Sequence, residues 1–147
     1  MLENTPRLRV QKVHKAAVLP KYAHPGDAGL DLCAVEEMVL LPRQSALVRT
    51  GLKIELPPHT EAQVRPRSGL ALRHSITVLN SPGTIDAGYR GEVCVILINH
   101  GDKPFAVTAG MRIAQLVVAP VLTVEVKAVS RLTSSRRASG GFGSTGK

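Results

Sequence analysis

At 147 residues, 44% of them hydrophobic, the chain is long enough for one domain with its own core, and it has no apolar run near the roughly 18–20 residues of a membrane span. A formal charge of +8, from 19 basic and 11 acidic residues, leaves open a nucleic-acid surface, a small polyphosphate ligand, or plain solubility. Aromatics are only 3% and no long Lys/Arg run exists, so base-stacking platforms are scarce and a nucleotide is favoured over a nucleic acid.

Met1 to Arg7 place no apolar stretch behind a basic region, so no secretory signal is expected and the protein reads as cytoplasmic. Leu8 and Val10 then alternate with Arg7, Arg9 and Gln11, the period-two pattern of a strand with one buried face. Gly26 to Leu32 is glycine-rich and strand-like, with Asp27 and Asp31 spaced to face the same side. Such a pair invites a divalent cation such as Mg²⁺, which prefers oxygen and keeps several waters. Cys33 and Cys94 are too few for a disulfide framework and are not spaced as a metal pair, so reduced thiols are expected. Leu52, Ile54 and Leu56 alternate with Gly51, Lys53 and Glu55 until Pro57-Pro58 ends that strand.

Ser68 to His74 is the best candidate for a helix, one or two turns long with Ser68 as a possible cap. Arg67, Ser68 and Gly69 at its start could bring a guanidinium, a hydroxyl and an amide to a phosphate, or form an ordinary capped surface turn. Residues 80 to 93 then carry the densest signal. Pro82 fixes one dihedral and Gly83 allows a positive one, so Asn80 to Gly83 reads as a tight reversal. The hairpin brings Asp86 and Tyr89 together beside exposed backbone amides. That arrangement can read a flat heterocycle by main-chain hydrogen bonds and leave one carboxylate for acid–base work. The bland alternative is a surface hairpin with a solvated aspartate.

Val93 to Ile98 is a β-branched apolar run, read as a central strand buried on both faces. Phe105 to Val129 alternates again, broken at Ala109-Gly110 and Pro120. Gln115 within it is either solvent-facing or a phosphate donor. From Ser130 the composition turns to Ser, Arg, Gly and Thr, which cannot bury a core. The division expected is a β-domain over residues 1–130 and a flexible tail over 131–147. The tail's glycine pattern imitates dinucleotide and P-loop fingerprints, but neither the strand before nor the helix after is in place. It retains a cation (Arg137), a ring (Phe142) and hydroxyls (Ser144, Thr145), able to close over a nucleotide.

Many short strands between Gly/Pro turns imply an all-β sandwich, barrel or jelly roll with at most one short helix. The five histidines never fall within four residues of one another, so no zinc site is expected. No serine–histidine or cysteine–histidine arrangement offers a covalent nucleophile.

Five segments together resemble the trimeric deoxyuridine triphosphatases, and in the same order. They are Gly26-Asp27-Ala28-Gly29-Leu30-Asp31-Leu32, Arg65-Pro66-Arg67-Ser68-Gly69-Leu70-Ala71, the hairpin Asn80 to Val93, Met111-Arg112-Ile113-Ala114-Gln115-Leu116, and Arg137 to Gly146. The resemblance covers nearly the whole chain. Cys33 departs from it, standing where the family often has an aromatic. The resemblance implies a homotrimer that splits dUTP into dUMP and pyrophosphate, limiting uracil in DNA and supplying dUMP for dTMP synthesis. Asp86 would orient the water at the α-phosphate. Mg²⁺, Ser68, Gly69, Gln115 and Arg137 would neutralise and position the triphosphate, and Arg67 would hold the site together. Asp31 would meet the metal through water. Asn80 and the backbone of Gly83, Thr84 and Ile85 would read uracil, and Tyr89 would exclude a 2′-hydroxyl. Phe142, Gly143 and Ser144 would close over the nucleotide from the tail of another subunit.

Two rivals remain at this level. A dCTP deaminase shares the hairpin, but deamination asks for a glutamate at the base, and Asp86 is the hairpin's one acid before Glu92. A non-catalytic β-domain could instead bind nucleic acid or protein through its basic surface.

Overall fold

The computed structural model describes residues 5–146. Its strands are β1 (Arg9–Lys12), β2 (Leu30–Cys33), β3 (Met38–Leu40), β4 (Ser45–Glu55), β5 (Thr60–Arg65), β6 (Ile76–Val78), β7 (Gly83–Ile85), β8 (Glu92–Asn99), β9 (Phe105–Val107) and β10 (Arg112–Pro120). One helix, α1 (Ser68–His74), separates β5 from β6. The strands form two open four-stranded sheets, ordered β1-β4-β8-β6 and β2-β10-β5-β7, and a small pair, β3-β9. Every pairing between these strands is antiparallel. Side chains from both sheets, among them Leu32, Leu52, Val64, Val95, Leu97, Ile113 and Leu116, meet in a single apolar core. The fold is a jelly-roll β-sandwich, with the alternation of Leu52, Ile54 and Leu56 buried as its period requires.

Four local expectations are revised. Strand β8 is central, but only Val93, Val95 and Leu97 are fully inside; Cys94, Ile96 and Ile98 are half-buried. The outer face of its sheet is open, and Leu47, opposite Ile96, is 58% exposed. The helix spans the expected residues, yet Ser68 is its first helical residue and Arg67 occupies the capping position without a side-chain bond. Gly83 does not take a positive φ; the Ser81–Pro82 peptide is cis, and Gly83 is extended as the first residue of β7. Its lack of a side chain answers crowding, since a Cβ there would sit 3.3 Å from that of Val64 and 3.4 Å from Asn80 Nδ2. Finally, the alternation after Pro120 forms no strand, and Leu122 and Val126 stand 86% and 91% exposed. Those residues have the pattern of a strand but no partner strand among the described residues.

A bulge interrupts the β4–β8 pairing between Arg49 and Lys53. Gly51 in it has φ 68°, and a Cβ there would lie 2.7 Å from His14 Cβ. The buried Thr50 hydroxyl donates to the Val93 carbonyl, pinning the bulge to β8. At the far end of β8, buried Asn99 donates to the carbonyls of Leu40 (3.0 Å) and Lys103 (2.8 Å) and accepts from Gly101 N–H (2.8 Å). A buried amide satisfied on both sides fastens the loop that follows.

Candidate active site

Antiparallel register brings three of the five motifs to one place. Gln115 on β10 lies opposite both Asp31 on β2 and Arg65 on β5, and α1 begins just beyond Arg65. The result is a cleft of about 310 Å³ lined by Asp27, Gly29, Asp31, Arg67, Ser68, Gly69 and Gln115, with Ala23 and Ala28 completing it. Gln115 Nε2 donates to the Pro66 carbonyl at 2.9 Å, tying β10 to the turn ahead of the helix. A Cβ on Gly29 would meet the Gln115 carboxamide, which would have to leave its place to admit it.

Charge in the cleft is arranged around Asp31. Its carboxylate lies 3.5 Å from Arg112 and 4.0 Å from Arg67, and Arg67 also donates to the Arg112 carbonyl at 3.3 Å. Asp27 lines the same cleft from a turn before β2, but its Oδ2 accepts the His24 N–H at 2.9 Å. The two aspartates therefore differ: one closes a turn and the other faces the cations. Arg112 was not singled out by sequence reasoning. The available signal was its position at the start of β10, within the fourth motif and across from the segment bearing Asp31.

Asn80 to Val93 do not form the expected hairpin: β7 pairs with β5 and β8 with β4 and β6, so the segment crosses from one sheet to the other. It builds a second groove, of about 390 Å³, lined by Leu47, Asn80, Thr84, Ile85, Asp86, Tyr89, Glu92, Val93, Cys94 and Ile96. Asp86 follows β7 directly and is exposed, and the Tyr89 N–H donates to its carbonyl at 3.0 Å, closing the turn. The Tyr89 hydroxyl donates to the Glu92 carbonyl at 3.0 Å, which folds the ring back over Gly91, where no Cβ would fit. Asp86 and Tyr89 are thus brought together as expected. Beneath them Arg49 holds Glu92 through two bonds of 2.8 and 3.0 Å and reaches Glu36 at 2.8 Å. Arg49's hydrogen bonds keep the Glu92 carboxyl below its ordinary range, so it is a poor proton donor. Burial above all, then the Glu92 hydrogen bond, pushes the Cys94 thiol up to about 11, and burial first, then the Asp31 charge, raises Cys33. Neither cysteine is disposed to act as a nucleophile.

Cleft and groove do not meet within one chain. Between β2 and β7 lie three inter-strand steps of ~4.8 Å, and Asp86 also lies several residues along the sheet from the Asp31 row, placing them on the order of 20 Å apart. The tail joins neither. Arg137 Nε bonds back to the Gly140 carbonyl at 2.8 Å, its one side-chain bond among the described residues, and Phe142 is fully exposed. Gly143 and Ser144 lie in successive turns beside it.

Mg²⁺ fits this donor set in one way. Among the described residues no three His, Cys, Asp or Glu side chains converge to hold a bare ion. Asp31 is faced by two guanidinium groups, so a divalent ion beside it would need further anionic ligands, such as the oxygens of a polyphosphate.

The dUTPase family model matches residues 15–146. A deoxyuridine 5'-triphosphate nucleotidohydrolase of Gloeothece citriformis is 64% identical over 95% of this chain and 97% of its own length. One of the same name from Clostridium acetobutylicum is 65% identical over 95% and 96%. Among solved structures, a Staphylococcus bacteriophage 80alpha dUTPase with dUPNHPP superposes with a TM-score of 0.91 at 29% identity, over 97% of this chain and 100% of that one. A dUTPase of phage phi11, described with a structural Mg(II) ion, matches at 25% identity and a TM-score of 0.81 over 87% and 99%. On a family match spanning all five motifs, and on relatives this similar along nearly their whole length, the chain belongs to the dUTPase family.

Proposed function

We propose that the protein hydrolyses dUTP to dUMP and pyrophosphate, supplying dUMP for dTMP synthesis and limiting uracil in DNA, as a cytoplasmic enzyme. The observation that carries this reading is the gathering of Asp31, Arg67, Ser68, Gly69 and Gln115 in one cleft, in a chain of this family. Phosphoanhydride hydrolysis asks a protein to orient a water and to place donors on the phosphates. Asp86 accepts a proton from the water and aims it at the α-phosphate. Ser68, the Gly69 amide and Gln115 position the triphosphate, while Arg67, paired with Asp31, keeps the cleft in shape. Asp31 would hold Mg²⁺ through water, and the ion bound with the triphosphate would supply charge neutralisation. Asn80 and the backbone of Gly83, Thr84 and Ile85 read uracil, and the Tyr89 ring leaves no space for a 2′-hydroxyl.

The separation of cleft and groove supports a site assembled between subunits of a homotrimer. A nucleotide seated against Asp86 and Tyr89 of one protomer would place its phosphates on Ser68 and Gln115 of another. The open outer face of the β1-β4-β8-β6 sheet and the unpaired apolar alternation after Pro120 are surfaces of the kind that subunit contacts bury. Arg137, Phe142, Gly143 and Ser144 then close from the flexible tail, residues 131–147, over a site built by the β-domain, residues 1–130.

The arginine-locked Glu92 weighs against cytosine deamination, since a carboxylate held ionised cannot shuttle protons readily. Incubation with dUTP and dCTP, following pyrophosphate and ammonia, tests the reading; ammonia from dCTP, or no pyrophosphate from dUTP, overturns it. Shared sites are tested by co-expressing an Asp86→Asn chain with one truncated after Arg131. Mixed trimers are expected to recover activity well above the strongly reduced level of either chain alone.

A further inference from the structure

Three charged side chains from separate parts of the chain converge beneath Asp86 and Tyr89. Glu36 follows β2, Arg49 lies on β4 where the bulge begins, and Glu92 opens β8. The guanidinium of Arg49 bridges the two carboxylates, gripping Glu92 with Nε and Nη2 and Glu36 with Nη1. Bulges re-aim side chains, and this one rests on Gly51's positive φ and on the Thr50 hydroxyl bond to the Val93 carbonyl. Glu92 is the first residue of β8 after the turn that carries Tyr89, and its carbonyl receives the Tyr89 hydroxyl. Its side chain is only 17% exposed, so the pair with Arg49 is partly shielded from solvent and bidentate, the geometry in which such pairs hold position.

We propose that Arg49 is a positioning residue for sugar selection: through Glu92 it sets the height of the Tyr89 ring over the groove. This rests on the reading of Tyr89 as the wall that excludes a 2′-hydroxyl. Arg49 does not itself line the groove, so it acts only by fixing where Glu92, and hence the phenol, stands. Glu36 braces the guanidinium from the opposite side and contributes less, since removing it leaves the fork on Glu92 intact.

The test is a double-mutant cycle read as the ratio of kcat/KM for dUTP to that for UTP. Arg49→Gln is expected to lower that ratio by roughly threefold to tenfold, with Arg49→Lys intermediate and Glu36→Gln smaller. Tyr89→Phe removes the hydroxyl through which the strut acts, so Arg49→Gln in that background should change the ratio little further. Independent, multiplying effects of the two substitutions would overturn the proposal. So would an unchanged ratio in a folded, correctly assembled Arg49→Gln variant. A second readout does not depend on catalysis. The chain has no tryptophan and two tyrosines, so in a Tyr22→Phe background Tyr89 is the sole emitter. Arg49→Gln should then change its fluorescence and near-ultraviolet circular dichroism, and identical spectra would exclude the strut. Should the spectra change while Tyr89→Ala leaves the dUTP/UTP ratio at its wild-type value, the strut stands as structure, and sugar selection by Tyr89 and by Arg49 falls.

Discussion

The cleft around Asp31 and the groove around Asp86 differ in how far the chain already satisfies them. In the cleft, Asp31 faces Arg67 and Arg112, and Gln115 bonds to the Pro66 carbonyl, so the polar groups are held before any ligand arrives. The groove has an apolar floor of Leu47, Val93 and Ile96, and its exposed carboxylate joins no ion pair among the described residues. A pre-paired cleft suits binding of a fixed charge pattern with little reorganisation. An unpaired carboxylate over an apolar floor suits proton chemistry, where pairing would hold the group in one protonation state.

That contrast is broken most sharply at Asp86. Asp86→Asn keeps shape and removes basicity, so kcat should fall by ~10²–10⁴-fold while dUTP binding and folding persist. Near-normal pyrophosphate release by a folded variant would remove the groove's chemical role. Truncation after Arg131 comes next. It deletes Arg137, Phe142, Gly143 and Ser144 but no core residue, so a folded oligomer should remain with turnover reduced by roughly 10²–10³-fold. Full activity after truncation would leave the tail without a catalytic part. Tyr89→Ala should lower the dUTP/UTP ratio of kcat/KM by ~10–10²-fold with a milder loss in dUTP turnover. On the cleft side, Gly29→Ala places a methyl where the Gln115 carboxamide sits. It should lower kcat/KM about tenfold and reduce stability by about 1–3 kcal/mol. A variant with unaltered kinetics would show that the seat of Gln115 is not important.

How much of this was readable beforehand depends on the distance over which each feature is determined. The span of α1 and the strand alternation of Leu52, Ile54 and Leu56 are local, and sequence reasoning found both. Gly83 was correctly marked but for the wrong reason, because the crowding by Val64 and Asn80 depends on a β5–β7 pairing that local sequence does not contain. The two-faced burial expected of β8 failed because a sheet's outer cover is supplied by other elements, or by other chains. Motif residues were legible as a set. Their division between two separated sites was not, since it follows from strand order. The Arg49 bridge was equally hidden, joining residues 13 and 43 positions away across a bulge.

The stretch after Pro120 has a consequence for the life of the chain before it works. Leu122, Val124 and Val126 offer an extended apolar edge, with Glu125 and Lys127 set between and beside them. Any chain with such an edge can pair with a neighbour wrongly as well as rightly, and the interleaved charges act as gatekeepers against stacking. A chain that left this edge uncovered is therefore expected to be less soluble than its well-packed core alone would suggest.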